Sequence, residues 1–442
     1  MSLVMPCAVD AVRVDAGLER LIEAASSRIE QSLLHDLVVG MTSIASPTGQ
    51  EGELARWLAS AMTDAGLGGE VQMLDDQQAN AIGTRRGSGG GASLMLYAPI
   101  DTLTVGTEEE DMPWIGEALR DDMRPQAVVD GPLVRGLGAS NPKGHGACVL
   151  AALTAIGRAG IDLRGDLLAG FGAGGMPTDA RRGTRLNNGH GAGCGVLLEE
   201  VVRPDLAVVA KPGWTVSWEE VGLAWVEVRV RGTHTYVGSR HRLPFQDAIV
   251  GAAHVIADLD EWFPTYTARH TSGTVAPQAI IGAIEGGWWR MAAVTPAVCR
   301  FLVDLRLAPD VSAQQALAEV AERLNDIARD RSIEIEHDLV RAIPGTRTPP
   351  DHPLVSAAVE AWERVAGREH EVITGNSGAT DANILRSRGV PTVRVGMPKV
   401  EGITDFQLGM NTVDVDEMVR LTRLLVRLAI NVASRPRHEV VG

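Results

Sequence analysis

The sequence predicts an α/β protein: a mostly parallel sheet with helices on both faces, interrupted by a smaller α+β domain. Three observations carry this. Apolar runs at 93–100, 165–172 and 206–210 are bounded by glycines and lack polar alternation, the pattern of strands buried on both faces. A helix-like stretch at 148–156 lies between the first two, so strands and helices alternate. From 224 the pattern changes to two-residue alternation (AWVEVRV at 224–230), which marks a half-buried strand of a different sheet.

In chain order, 18–67 reads as two helices interrupted at SPTGQEGE, where Ser46, Pro47 and Gly49 punctuate and Glu51 opens a fresh amphipathic run. The buried strands follow. After Trp214 come the alternating strand, a helix at 245–259, strands at 278–284 and 298–307, and an amphipathic helix at 312–330. The α/β pattern then resumes with a strand at 333–338, a helix at 353–365, strands at 372–374 and 392–395, and a closing helix at 414–433. The expected domains are therefore residues 1–215 plus 333–442, with 216–332 inserted.

A chain of 442 residues exceeds one ordinary core, in keeping with two domains. Its net charge of -15 argues against nucleic acid or an anionic membrane as partner, since such binders cluster Lys and Arg. Small molecules are the expected partners. No run reaches the length of a membrane span, and residues 1–16 lack the basic flank of a signal peptide. Cys7, Cys148, Cys194 and Cys299 have no CxxC spacing, which fits reduced thiols and a cytoplasmic location.

Five short stretches stand where chemistry is expected. They are LMLYAPIDT (94–102), GLGASNPKG (136–144), FGAGGM (171–176), VAKP (209–212), and the segment around Gln407 and Asn411 before the last helix. Three others are Gly232-Thr233-His234, Asp304-Leu305-Arg306 and SGATD at 377–381. In this order, and over nearly the whole chain, they resemble the motifs of the M20 family of co-catalytic metallopeptidases and deacylases. The resemblance implies an M20-type catalytic domain with an inserted lid and dimerisation domain.

It also shows what is missing. In M20 enzymes the first motif is HxDT, and here Pro99 replaces the ligand while Asp101 stands. Asn141 replaces the Asp that bridges two metals, Gly175 the general base, and Met176, Lys211 and Gln407 further ligands. Neutral groups and a lysine remove the negative charge that holds two dications together. No metal and no cofactor is expected.

The candidate catalytic residues are Lys211, His234, Asp101 and His145. Lys211 is either a functional cation held by Asp101, able to polarise a carbonyl, or a salt-bridge partner filling an abandoned site. His234 resembles the family's histidine that reaches a neighbouring active site in dimers. His145 is the nearby histidine that could compensate for lost groups, or a local hydrogen-bonding residue. Asn141, Arg306, Ser377, Gly378, Asp381 and Gln407 are the candidate substrate-binding residues. Ser377 reads as a donor, lacking any GxSxG context, and Trp288 and Trp289 read as core packing first, with the cleft or the dimer edge as the alternative places. The resulting expectation is a metal-independent enzyme acting on an amide, N-acyl or peptide-like amino-acid derivative, homodimeric through the inserted domain. The alternatives are a noncatalytic homologue that binds such a ligand or a partner protein, and a metallohydrolase with an atypical ligand set.

Overall fold

Residues 14–116, 118–178, 188–200, 203–403 and 406–441 are described by the computed structural model. Two units form: Met1–Trp218 with Thr348–Val372 and Thr380–Gly442, and Glu219–Arg347 with Ile373–Ala379. The strands used below are β1 (Glu70–Met73), β2 (Ala79–Arg85), β3 (Leu94–Pro99), β4 (Leu167–Gly172), β5 (Leu206–Ala210), β6 (Val216–Ser217), β7 (Gly222–Arg231), β8 (Ala279–Gly286), β9 (Val298–Leu307), β10 (Ile335–Ile343) and β11 (Thr392–Val395). The helices are α1 (Ala16–Ser26), α2 (Gln31–Thr42), α3 (Gly52–Asp64), α4 (His145–Arg158), α5 (Ala192–Glu200), α6 (Ala248–His270), α7 (Ala313–Arg331), α8 (Pro353–Ala366), α9 (Ala382–Ser387), α10 (Phe406–Asn411) and α11 (Val415–Ala433).

The first unit is built on a seven-stranded sheet in the order β1-β2-β4-β3-β5-β11-β6. Its central strands β4, β3, β5 and β11 are parallel, and antiparallel pairs flank them. Successive residues of a strand point to opposite faces, so β3 feeds two cores. Leu94, Leu96 and Ala98 join Val149 and Leu153 of α4 and Leu421 and Leu425 of α11. Met95 and Tyr97 join Leu197 of α5 and Leu385 of α9 on the other face. That double burial explains why these strands read as unbroken apolar runs. Each fully buried leucine contributes about 1.5–3 kcal/mol.

The second unit is a four-stranded antiparallel sheet, β8-β9-β7-β10. Alternate residues Val226, Val228 and Val230 pack with Phe301, Val303 and Leu305 against Val255 and Leu259 of α6 and Val320 and Leu324 of α7. Arg229 and Arg300, facing away, pair with Glu227 and Glu285. Ser312 and Gln315 form a reciprocal capping box that starts α7.

Four expectations are corrected. The stretch 18–67 holds three helices, because α1 ends at Ser26 and α2 starts only at Gln31. The strand placed at 333–338 in the larger domain is β10, paired with β7 in the second unit's sheet, where Ile335 and Leu339 pack on that core. Residues 372–374 form no strand; Asn376 instead makes a bridge to Val275 within the second unit. Trp288 and Trp289 are not core residues, being 56% and 102% exposed. Among the described residues no helix is long and apolar enough to cross a membrane.

Candidate active site

Open parallel sheets place ligands at the carboxyl ends of their strands. There β3, β4 and β5 deliver Pro99 to Asp101, Gly172 to Met176, and Lys211. The register sets them side by side: Pro99 pairs with Gly172 on one side, and Tyr97 with Val209, two residues before Lys211, on the other. Neighbouring strands lie about 4.8 Å apart, so these termini line one small site.

Asp101 is fully buried and holds the β4 exit in place. Its Oδ1 accepts from the Gly175 amide at 2.8 Å, and its Oδ2 from the Met176 amide at 2.9 Å and the Thr48 hydroxyl at 2.7 Å. Beside it lies Glu51, also fully buried. Glu51 Oε1 accepts from the amides of Gly174 and Gly49 and from Gln78, at 2.8, 3.0 and 3.3 Å. Its Oε2 has no hydrogen-bond partner among the described residues. Burial first, and then the neighbouring Asp101 charge, push the Glu51 carboxyl up to about 8, so it is largely protonated at neutral pH.

Lys211 is 7% exposed, and its Nζ donates to Asn141 Oδ1 at 3.0 Å. Asn141 has extended backbone (φ -121, ψ 111) inside an otherwise helical turn, which turns its amide toward the lysine. A cavity of about 20 Å³, room for a water-sized group, opens beside Asn141 between Thr102, Gly138 and Asn411. Asn411 Oδ1 accepts from the Gly138 amide at 2.8 Å and fixes that wall.

His145 is held by hydrogen bonds at both ring nitrogens. Its Nδ1 donates to the Ser140 carbonyl at 2.7 Å and its Nε2 accepts from the Met397 amide at 3.2 Å, so both ring nitrogens are used. Burial, with smaller contributions from Lys211 and Arg394, pulls it down to about 3 and keeps it neutral. Lys143, equally buried, donates to the Ile44 carbonyl at 2.7 Å, and desolvation draws its amine down to about 7.

Gly175 stands where the general base belongs in the motif, and the position is filled from outside. A Cβ built there would lie 2.4 Å from Pro99 Cβ and 3.0 Å from Asp381 Oδ2. Asp381, 3% exposed, precedes α9 but makes no side-chain bond to that helix's first turn. Its carboxylate accepts instead from Tyr97 Oη at 2.7 Å. Burial, then the Asp381 charge, holds the Tyr97 phenol well above its usual range.

The other candidates belong to the second unit. His234 is exposed, and its Nδ1 donates to the Thr295 carbonyl at 2.8 Å. Arg306 pairs with Asp304 within the chain: Nε lies 2.8 Å from one carboxylate oxygen and a terminal nitrogen donates to the other at 3.2 Å. Ser377 Oγ accepts from the Gln278 amide at 3.0 Å, and the Gly378 amide donates to Asn376 Oδ1 at 3.1 Å. The SGATD stretch is thus divided, with Ser377 and Gly378 in one unit and Asp381 in the other. Gln407 lies on α10, and its side chain is outside the described residues.

A dinuclear metal pair does not fit these donors. The ligand positions present a pyrrolidine ring, an amide oxygen that already accepts from an ammonium, a thioether and a lysine. Among the described residues no group of three or more His, Cys, Asp or Glu could hold a metal ion. Tyr97 and Glu51 escape sequence inspection. Tyr97 hides in an apolar strand, and the sole trace of Glu51 is its place in the SPTGQEGE turn.

The chain matches the family model "Peptidase family M20/M25/M40" over residues 95–431. It is 23% identical over 455 residues to the N-formyl-4-amino-5-aminomethyl-2-methylpyrimidine deformylase of Bacillus subtilis, covering 96% of this chain and 99% of that protein. The dipeptidase Dug1p of Saccharomyces cerevisiae shares the fold with a TM-score of 0.70 at 10% identity, over 96% of this chain and 100% of its own. Human carnosine dipeptidase 1 gives 0.67 at 14%, with the same coverage. The family match spans well over half of the sequence, and the fold agrees with it: this chain belongs to the M20/M25/M40 peptidase family.

Proposed function

We propose that this chain is an amide-bond hydrolase acting on a small amino-acid-derived amide, N-acyl or peptide-like compound without a dinuclear metal pair. The observation that carries this is Lys211, an ammonium at the carboxyl end of β5, nearly buried and 3.0 Å from Asn141 Oδ1. In a water-poor site such a cation stabilises charge developing on a carbonyl oxygen, through a charge-assisted hydrogen bond. The relative that is by name a deformylase of an N-formyl pyrimidine supports an N-acyl substrate. Lys211→Met, which keeps the length and removes the charge, is expected to lower turnover of the responsive amide by roughly 10²–10³-fold, the loss typical of removing one oxyanion donor. Unchanged turnover in a folded variant rejects the role.

The closed position at Gly175 favours a second reading, a noncatalytic protein that binds such a ligand. A panel of N-formyl, N-acyl and dipeptide compounds tested with chelator-treated protein separates the two, since any specific turnover removes the noncatalytic reading.

Two copies are proposed to join through the second unit. Strand β8 is one edge of the sheet, and Ile280 and Ile284 stand 60% and 58% exposed on it. Exposed apolar edge strands recruit further strands. His234, anchored through Nδ1, keeps Nε2 for a ligand, in line with the family's dimer histidine. A cytoplasmic location is supported by Cys148, Cys194 and Cys299, all buried free thiols.

A further inference from the structure

We infer that Asp381, oriented by Tyr97, is the proton acceptor of this centre, replacing from another element the carboxylate that position 175 lacks. The inference rests on the amide-hydrolase reading above. Its ground is a juxtaposition that uses three glycines. Asp381 Oδ2 lies 3.0 Å from where a Gly175 Cβ would stand, and Oδ1 lies 3.0 Å from the corresponding point at Gly191. The phenol that orients it passes over Gly172, where a Cβ would be 1.8 Å from Tyr97 Oη. A side chain at 172 would displace the phenol outright, and at 175 and 191 it would crowd the carboxylate while meeting Pro99 and Ile384 still more closely, so the three glycines leave the pair its place at the strand ends.

The location suits the chemistry. Pro99 lies between two strand ends: its ring touches the Gly175 position, and β5, carrying Lys211, runs along its other side. Pro99 thus has the Asp381 carboxylate by its Gly175 side and the end of β5, which carries Lys211, on its other side. An aspartate before a helix commonly binds the first-turn amides. Asp381 does not, and its carboxylate turns to Tyr97. Among the described residues, Tyr97 on β3 and Cys194 on α5 are titratable groups that feel its charge, and burial keeps both of them neutral.

The step balances with water as co-reactant. Asp381 takes a proton from water as its oxygen bonds to the carbonyl carbon, and the C=O electron pair moves to the oxygen held by Lys211. The C–N bond then breaks, and the Asp381 proton passes to the departing nitrogen, giving a carboxylic acid and an amine.

The test uses full-length protein and the amide that responds in the panel. Asp381→Asn is expected to lower kcat by roughly 10²–10⁴-fold with KM within threefold, the usual share of a general base. Retained kcat in Asp381→Asn, with Lys211→Met still inactive, overturns the inference and leaves the parent reading intact. Absence of turnover in the unaltered protein across the whole panel instead overturns both. Should Asp381→Asn fold poorly, Tyr97→Phe decides. Losing a hydrogen bond to the charged form raises a carboxylate's pKa, so the acidic limb of the kcat profile is expected to move to higher pH. An unmoved limb contradicts the inference, because a merely structural tyrosine would lower stability without shifting it.

Discussion

Replacing Gly175 by alanine probes the closure of the centre directly. Its backbone is outside the left-handed region, so the cost of a methyl group is steric. The new Cβ would meet Pro99 Cβ at 2.4 Å, well inside the roughly 3.5–4.0 Å optimum for carbon pairs. Pro99 has no room to yield, being the buried last residue of a central strand. Overpacking of this kind costs about 1–3 kcal/mol, and a contact more than an ångström too short belongs near the upper end. Pro99→Gly removes the opposing carbon, so Gly175→Ala is expected to cost little in that background. The difference, a coupling of about 2 kcal/mol, is measured by urea unfolding of the four proteins in a double-mutant cycle. Additive effects, within about 0.5 kcal/mol, would refute the claim that Pro99 fills the space of the missing base.

Two further outcomes are expected. Glu51, raised from 4.5 to about 8 in the fold, binds its proton more tightly folded than unfolded. The stability this confers is complete below 4.5, falls as pH rises through the interval, and is gone above about 8. Glu51→Gln keeps the acceptor and removes the titration, so its advantage over the unaltered protein should grow between about pH 5 and 8, at no more than about 1.4 kcal/mol per pH unit. Parallel stability profiles would contradict the burial argument. At the β8 edge, Ile284→Lys places a charge on the proposed interface and should give a monomer by light scattering, whereas an unchanged mass removes β8 from the contact.

The sequence made the larger sheet legible because its central strands are covered on both faces and so read as unbroken apolar runs. It located the alternating β7 for the converse reason. The period of a strand does not name its partner, however. β10 was therefore visible as a strand yet assignable to the larger sheet, when its register lies with β7. The losses at Pro99, Asn141, Met176 and Lys211 were readable because short motifs fix their positions. What replaced them was not. The closure at Gly175 depends on distances to a proline 76 positions earlier and an aspartate 206 positions later. His145 has its Nε2 occupied by an amide 252 residues away. Asp381 looked like part of a substrate loop with Ser377 and Gly378, because adjacency in sequence conceals that its carboxylate turns to Tyr97.

Zinc binding, measured by calorimetric titration of the full-length protein and by elemental analysis of the product, tests the central claim most directly. With Lys211 bonded to Asn141 where ligands would stand, no stoichiometric zinc is expected, and Lys211→Met should not create a site. Two zinc ions per chain, bound tightly and lost on changing Asn141, would contradict the account.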